Sequence, residues 1–167
     1  ICWSLVGSEM CIRDRINIAH DELIQAMKRV DIVVINDGEA TMLAGTDNLV
    51  QAAKDVQSMA SIPMLIVKKG EHGVLALHGN KLVALPAYPT SSVVDPTGCG
   101  DTFAGTLAAC LAAGEGVIEM DELRNALIHA TVSASFTLEG FGIEGLESMT
   151  EESVSYTHLR AHETPAN

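Results

Sequence analysis

Asp95-Pro96-Thr97-Gly98-Cys99-Gly100-Asp101-Thr102-Phe103 is the stretch on which the reading of this chain turns. Two β-branched residues, Val93 and Val94, predict the end of a strand that runs through a glycine turn into an Ala/Leu-rich helix with a carboxylate in its first turn. The first N–H groups of a helix have no partner within it, and the peptide dipoles sum to partial positive charge at that end. Gly98 and Gly100 let the main chain approach an oxygen-rich anion with no Cβ in the way. A phosphoryl group in transfer spreads negative charge over its oxygens, and fixed N–H donors stabilise that charge without reorganising. Asp101 stands where it can accept the proton of an attacking hydroxyl. The same residues also suit a plainer role, in which Asp101 only complements the dipole and the glycines only make a tight turn.

Two segments upstream carry related signals. Asp31-Ile32-Val33-Val34-Ile35 predicts a short buried strand that delivers Asn36-Asp37-Gly38-Glu39 into a helix with Ala40, Met42 and Leu43. Taken alone it is an Asn turn followed by an acidic helix start. Met64-Leu65-Ile66-Val67 predicts a strand buried on both faces, ending in Lys68-Lys69-Gly70-Glu71-His72-Gly73 ahead of the strand Val74-Leu75-Ala76-Leu77. Lysines at a strand's carboxyl edge are placed to meet nucleotide phosphates, and glycines permit close backbone approach. A solvated charged hairpin is the alternative. His72 has no Cys or His at ligand spacing and reads as a loop residue.

In this order the three segments resemble the ribokinase-like (PfkB-type) sugar and nucleoside kinases, whose C-terminal signature runs D-[TP]-T-G-A-G-D-x-F. Cys99 replaces the usual small residue and Thr106 follows Gly105 where Gly or Ala is commoner, but neither change removes a backbone N–H. The resemblance implies an α/β three-layer sandwich with a mostly parallel central sheet, and transfer of the γ-phosphoryl of ATP to a hydroxyl of a sugar or nucleoside. It implies Asp101 as catalytic base and Gly98, Cys99 and Gly100 as the anion hole. Asn36 and Glu39 match the N-x-x-E element that helps place Mg2+, often through water. Lys68, Gly70 and Gly73 match the K-x-G-x-x-G nucleotide loop, and Asp95 matches a position associated with a monovalent cation such as K+. Thr131 falls near an adenine-facing position, although a core helix needs no ligand to explain it. A homodimer of the intact parent is compatible with the family pattern, as is a monomer.

The two ends of the chain read differently. Codons can be chosen for Leu5 to Asp14, with the first two bases of Arg15, whose reverse complement translates as Val154 to Glu163. Both termini then come from complementary strands of one short DNA, which resembles a transposase-type sequencing-library adapter. Residues 1–15 and 153–167 are therefore expected to be non-native and are set aside, as a tag would be. Glu9, Arg13, Asp14 and Arg15 also leave no apolar core for a signal peptide. Residues 16–152 remain as the C-terminal part of a kinase domain, with the N-terminal half and its lid missing. Such a fragment is expected to expose a sheet edge and to be inactive by itself.

Residues 16–152 keep seven of the ten basic residues and all but three of the acidic ones, so the net charge of −12 is theirs. That balance argues against a nucleic-acid partner, which wants a basic stripe. A phosphate site must then be local and metal-assisted. Cys99 and Cys110, the two cysteines left, read as free thiols of a reducing, cytoplasmic compartment. No apolar run approaches the length of a membrane span.

Between the motifs, helical and strand patterns alternate as in parallel sheets with crossover helices. Helices are predicted over 20–29, after Asn36, from an Asp47 cap to Met59, over 99–113 and over 121–138. Strands are predicted over 31–35, 64–68, 74–78 and 81–85, the last two joined at Gly79-Asn80 as a hairpin. The helix over 99–113 is small-residue rich on nearly every face and is expected to be buried. A dinucleotide-binding oxidoreductase is one rival, but Phe103 occupies the place of the third glycine of G-x-G-x-x-G. A non-catalytic nucleotide-binding relative is the other, and retention of Asp101 speaks against it.

Overall fold

The computed structural model describes residues 16, 18–90, 92–114, 117–147 and 149, so the adapter readings at 1–15 and 153–167 lie outside the described residues. The chain divides into two compact units, Ile1–Ala84 and Leu85–Asn167.

The first unit builds a mixed sheet with helices. Its elements are α1 (His20–Met27), β1 (Ile32–Asn36), α2 (Asp37–Ala44), α3 (Leu49–Ala60), β2 (Met64–Lys68), a single 3-10 turn at Gly70–His72, β3 (Val74–His78) and β4 (Lys81–Leu85). The strand order is β1-β2-β3-β4, with β1 and β2 parallel and β2 and β3 antiparallel. A parallel return needs a long crossover, which α2 and α3 supply between β1 and β2. The five residues between β2 and β3 allow only reversal.

Alternation explains which side chains form the core. Val33 pairs with Leu65, Ile35 with Val67, Leu65 with Leu77 and Val67 with Leu75, so one face of three strands is wholly aliphatic. Ile24 and Met27 of α1, Ala40 and Leu43 of α2, and Ala53, Val56 and Ala60 of α3 join those residues in one buried cluster. Cutting a fully buried member such as Leu65 to Ala costs about 2–5 kcal/mol. α3 is capped by Asn48, whose side chain accepts from the Gln51 N–H at 3.0 Å, and not by Asp47 as expected. Asn and Asp cap equally well, so composition could not choose between neighbours. The helix ends on Ser61, which takes a left-handed φ of 49°.

The second unit pairs α4 (Cys99–Ala113) with α5 (Met120–Leu138), followed by the short α6 (Glu144–Glu147). The burial expected on nearly every face of α4 is not found. Phe103, Leu107 and Leu111 form a single buried ridge, while Asp101, Gly105 and Ala109 lie exposed. Four-residue spacing puts the large side chains on one stripe, and the small ones have little area to bury. The strand expected at Val93-Val94 is also absent: both valines are exposed. The Val94 N–H instead donates to the Leu138 carbonyl at 2.7 Å. With no strand beside it among the described residues, the Val94 amide is satisfied on a helix end.

Candidate active site

In the first unit, parallel pairing sets Asn36 beside Lys68 at the carboxyl ends of β1 and β2. That edge is where open α/β sheets receive ligands. Asn36 is also the N-cap of α2. Its Oδ1 accepts from the Glu39 N–H at 2.8 Å, and the Glu39 carboxylate accepts from the Asn36 N–H at 2.8 Å. The two residues thus form a reciprocal capping box. Glu39 is 2% exposed, an unusual burial for a carboxylate. Among the described residues, no three His, Cys, Asp or Glu side chains gather into a metal site. Mg2+ binds through one or two carboxylates, phosphates and several waters, so the pair fits an ion held through water and not a protein cage.

The loop after β2 is tightly self-bonded. Lys69 N–H donates to the Gly73 carbonyl at 2.7 Å, and Gly73 N–H donates to the Gly70 carbonyl at 3.1 Å. Gly70 has φ of 54°, while Gly73, buried, has φ 90° and ψ −139°. Only glycine tolerates the latter conformation. Lys68 is half-buried at the mouth of this loop. His72 is exposed, 3.7 Å from Glu71.

In the second unit, three nested turns lead the chain into α4. The Asp95 carboxylate accepts from the Thr97 N–H at 2.9 Å. That hydrogen bond, followed by one from the Thr97 side chain, holds the exposed Asp95 carboxyl below its ordinary value. Cys99 N–H donates to the Pro96 carbonyl at 3.3 Å, closing a β-turn whose third residue is Gly98 with φ 86° and ψ −10°. Those angles are those of the third residue of a type II turn, which requires glycine. Thr102 N–H then donates to the Gly98 carbonyl at 2.8 Å, the first bond of α4.

The consequence is a redistribution of the expected anion donors. Cys99 N–H is directed at Pro96, whereas the N–H groups of Gly100 and Asp101 meet no acceptor among the described residues. The Asp101 carboxylate is exposed in the first helical turn, and Gly98 supplies no side-chain cap. An anion at this turn would meet two free amides with a carboxylate alongside. The helix dipole adds to both.

Sequence reasoning missed two residues here. Thr137 of α5, 2% exposed, donates its hydroxyl to that of Thr102 at 3.0 Å. They lie 35 positions apart, and no local pattern announces the contact. Thr131 donates to the Leu127 carbonyl of its own helix at 2.8 Å. Cys99 and Cys110 form no disulfide among the described residues, and burial pushes the Cys110 thiol up. Among the described residues, no helix is long and apolar enough to cross a membrane.

Residues 6–145 match the model of the pfkB family carbohydrate kinases. Among characterised proteins, a cytidine kinase of Thermococcus kodakarensis is 36% identical over 101 residues, which cover 59% of this chain and 36% of that kinase. Among solved structures, a ribokinase II from E. coli in complex with ATP and Mg2+ superposes with a TM-score of 0.71 at 23% identity, over 89% of this chain and 46% of that one. A Vibrio cholerae fructokinase bound to fructose, ADP and potassium ion gives a TM-score of 0.72 at 20% identity, over 82% and 43%. The fold is therefore ribokinase-like α/β, and the chain spans less than half of each of these relatives.

Proposed function

The chain belongs to the pfkB family of carbohydrate kinases, and from that membership we propose that it carries the phosphoryl-transfer machinery of an ATP-dependent kinase acting on a hydroxyl of a sugar or nucleoside. The observation that carries the reading is the turn at Gly98, which opens α4 with the Gly100 and Asp101 amides unclaimed among the described residues and the Asp101 carboxylate exposed beside them.

In the proposed reaction the substrate hydroxyl oxygen forms a bond to the γ-phosphorus as the bond from that phosphorus to the β,γ-bridging oxygen breaks. Asp101 takes the hydroxyl proton, and ADP leaves. The amides that open α4 hold the charge developing on the transferring group, Gly100 and Asp101 foremost, with Gly98 shaping the turn and Cys99 contributing its backbone to it. Lys68 and the loop through Gly70 and Gly73 seat the nucleotide phosphates. Asn36 and Glu39 would hold waters around Mg2+, which would supply neutralisation of the phosphate charge. Asp95, held ionised by Thr97, is the oxygen donor for a monovalent cation such as K+.

The acceptor is sought among ribose, fructose, keto-deoxy acids and nucleosides, cytidine included, by following ADP release from MgATP with the full-length protein that carries residues 16–152. One acceptor should stand well above the rest. Calorimetry that finds no MgATP uptake but tight nicotinamide binding overturns the reading in favour of an oxidoreductase. MgATP binding with no turnover on any acceptor favours the non-catalytic relative.

The adapter origin of residues 1–15 and 153–167 rests on the complementarity of their codons, while the family match begins at residue 6. Resequencing the genomic locus across both ends decides it. Those codons found in the chromosome refute the adapter origin.

A further inference from the structure

Three consecutive residues at the end of α5 hold the passage that leads into α4. The Glu139 carboxylate accepts from the Thr90 hydroxyl at 2.7 Å, and the Leu138 carbonyl accepts from the N–H groups of Val94 and Asp95 at 2.7 and 3.4 Å. The Thr137 hydroxyl reaches furthest along the passage, to Thr102 at 3.0 Å. Its methyl Cγ2 lies 3.8 Å from where a Cβ on Gly98 would stand. One buried side chain therefore bonds Thr102, where the first helical bond closes, and borders the space beside Gly98, where the turn enters the helix. Gly100 and Asp101 lie between those two positions.

We propose that Thr137 is a positioning residue for phosphoryl transfer: through Thr102 it fixes the direction of the Asp101 carboxylate and of the free amides of Gly100 and Asp101. The proposal rests on the reading of Asp101 as the base. The physical reason is the lack of local support. Gly98 offers no side-chain cap, so beyond the backbone bonds of the turn itself the side-chain support of the first turn of α4 comes from the neighbouring helix. Displacements of an ångström at a reacting group cost on the order of a hundredfold in rate, so partial loosening of this turn is felt in turnover before it is felt in folding.

Thr137→Val keeps the β-branched shape and removes the hydroxyl. In the full-length protein it is expected to lower kcat about tenfold while KM for MgATP stays within about twofold, because the loosened geometry matters most where charge develops. Thr137→Ser, which keeps the hydroxyl, should restore kcat. Thr102→Val should match Thr137→Val, and the double variant should be no worse than either, since both remove the same bond. Unchanged kcat in Thr137→Val, alongside a strong loss in the separate Asp101→Asn variant, overturns the proposal and leaves the base assignment standing. Normal turnover in Asp101→Asn overturns the base assignment instead. A loss that Thr137→Ser does not restore marks a packing defect and also overturns the positioning role. Where Thr137→Val fails to fold, kcat of Thr102→Val decides by the same criteria.

Discussion

Replacing Asp101 by Asn separates catalysis from stability, because the two effects differ by several kcal/mol. Asp101 is exposed in the first turn of α4, and Asn has the same shape. Folding loses only the attraction of a charge for the helix dipole, about 0.3–1 kcal/mol at an exposed helix start. Set against a total stability of about 5–15 kcal/mol, that leaves the protein essentially all folded. Catalysis loses a general base, typically worth 10² to 10⁴ in rate or about 2.7–5.5 kcal/mol of barrier. The assay is ADP release by the full-length protein at saturating MgATP with its best acceptor, beside calorimetric titration with MgATP. Turnover should fall by about 10²-fold or more while MgATP affinity stays within about threefold. Turnover within about threefold of the parent would mean that the proton goes elsewhere, and that Asp101 serves only the helix.

Asn36→Ser keeps an N-cap acceptor, so the melting temperature should hold within about 2 °C, while the Mg2+ concentration for half-maximal activity rises several-fold; an unchanged Mg2+ response reduces Asn36 to a cap. Ser61→Gly relieves the left-handed φ of 49° at the end of α3 and should stabilise by about 0.5–1 kcal/mol in denaturant unfolding, after allowance for the looser unfolded chain; destabilisation refutes the strain argument. Asp95 is held below the ordinary value of 3.8 by the Thr97 N–H and side chain, so its contribution to stability is complete above that value and fades as pH falls through the lower folded one. Thr97→Pro removes both bonds, and a carboxyl titration followed by NMR should then show Asp95 moving up to the ordinary range.

Periodicity made the first unit legible. Ile32 to Ile35 and Met64 to Val67 could only be short buried strands, and the hairpin at Gly79-Asn80 followed from its turn residues. Apart from the α3 cap, which fell on Asn48 and not Asp47, the losses have one cause. Val93-Val94 has the composition of a strand, and α4 the composition of a buried helix, but burial and pairing depend on what lies alongside, which local sequence does not encode. The candidate site divides the same way. Gly98, Gly100 and Asp101 stood out because glycine and a first-turn carboxylate carry their reasons locally. The handover of the Cys99 amide to Pro96 depends on a turn type, and Thr137 reaches Thr102 only through the pairing of two helices.

Lack of a side-chain cap does not by itself mark a ligand site. α1 begins after Ala19 and α5 after Glu119, and neither has a capping side chain. At those positions φ is −140° and −85°, so a Ser or Asp would fit the backbone, and two acidic residues in each first turn already complement the dipole. α2 and α3 are capped outright by Asn36 and Asn48. Among α1 to α5, only before α4 does the backbone itself forbid a cap: a side chain at φ 86° costs about 1–2 kcal/mol, as much as a good cap returns. The turn that aims the chain into α4 therefore leaves the Gly100 and Asp101 amides without an acceptor among the described residues. A helix start that is open by geometry, steadied from a neighbouring helix by Thr137 and provided with one carboxylate, is what separates this turn from the other uncapped ones.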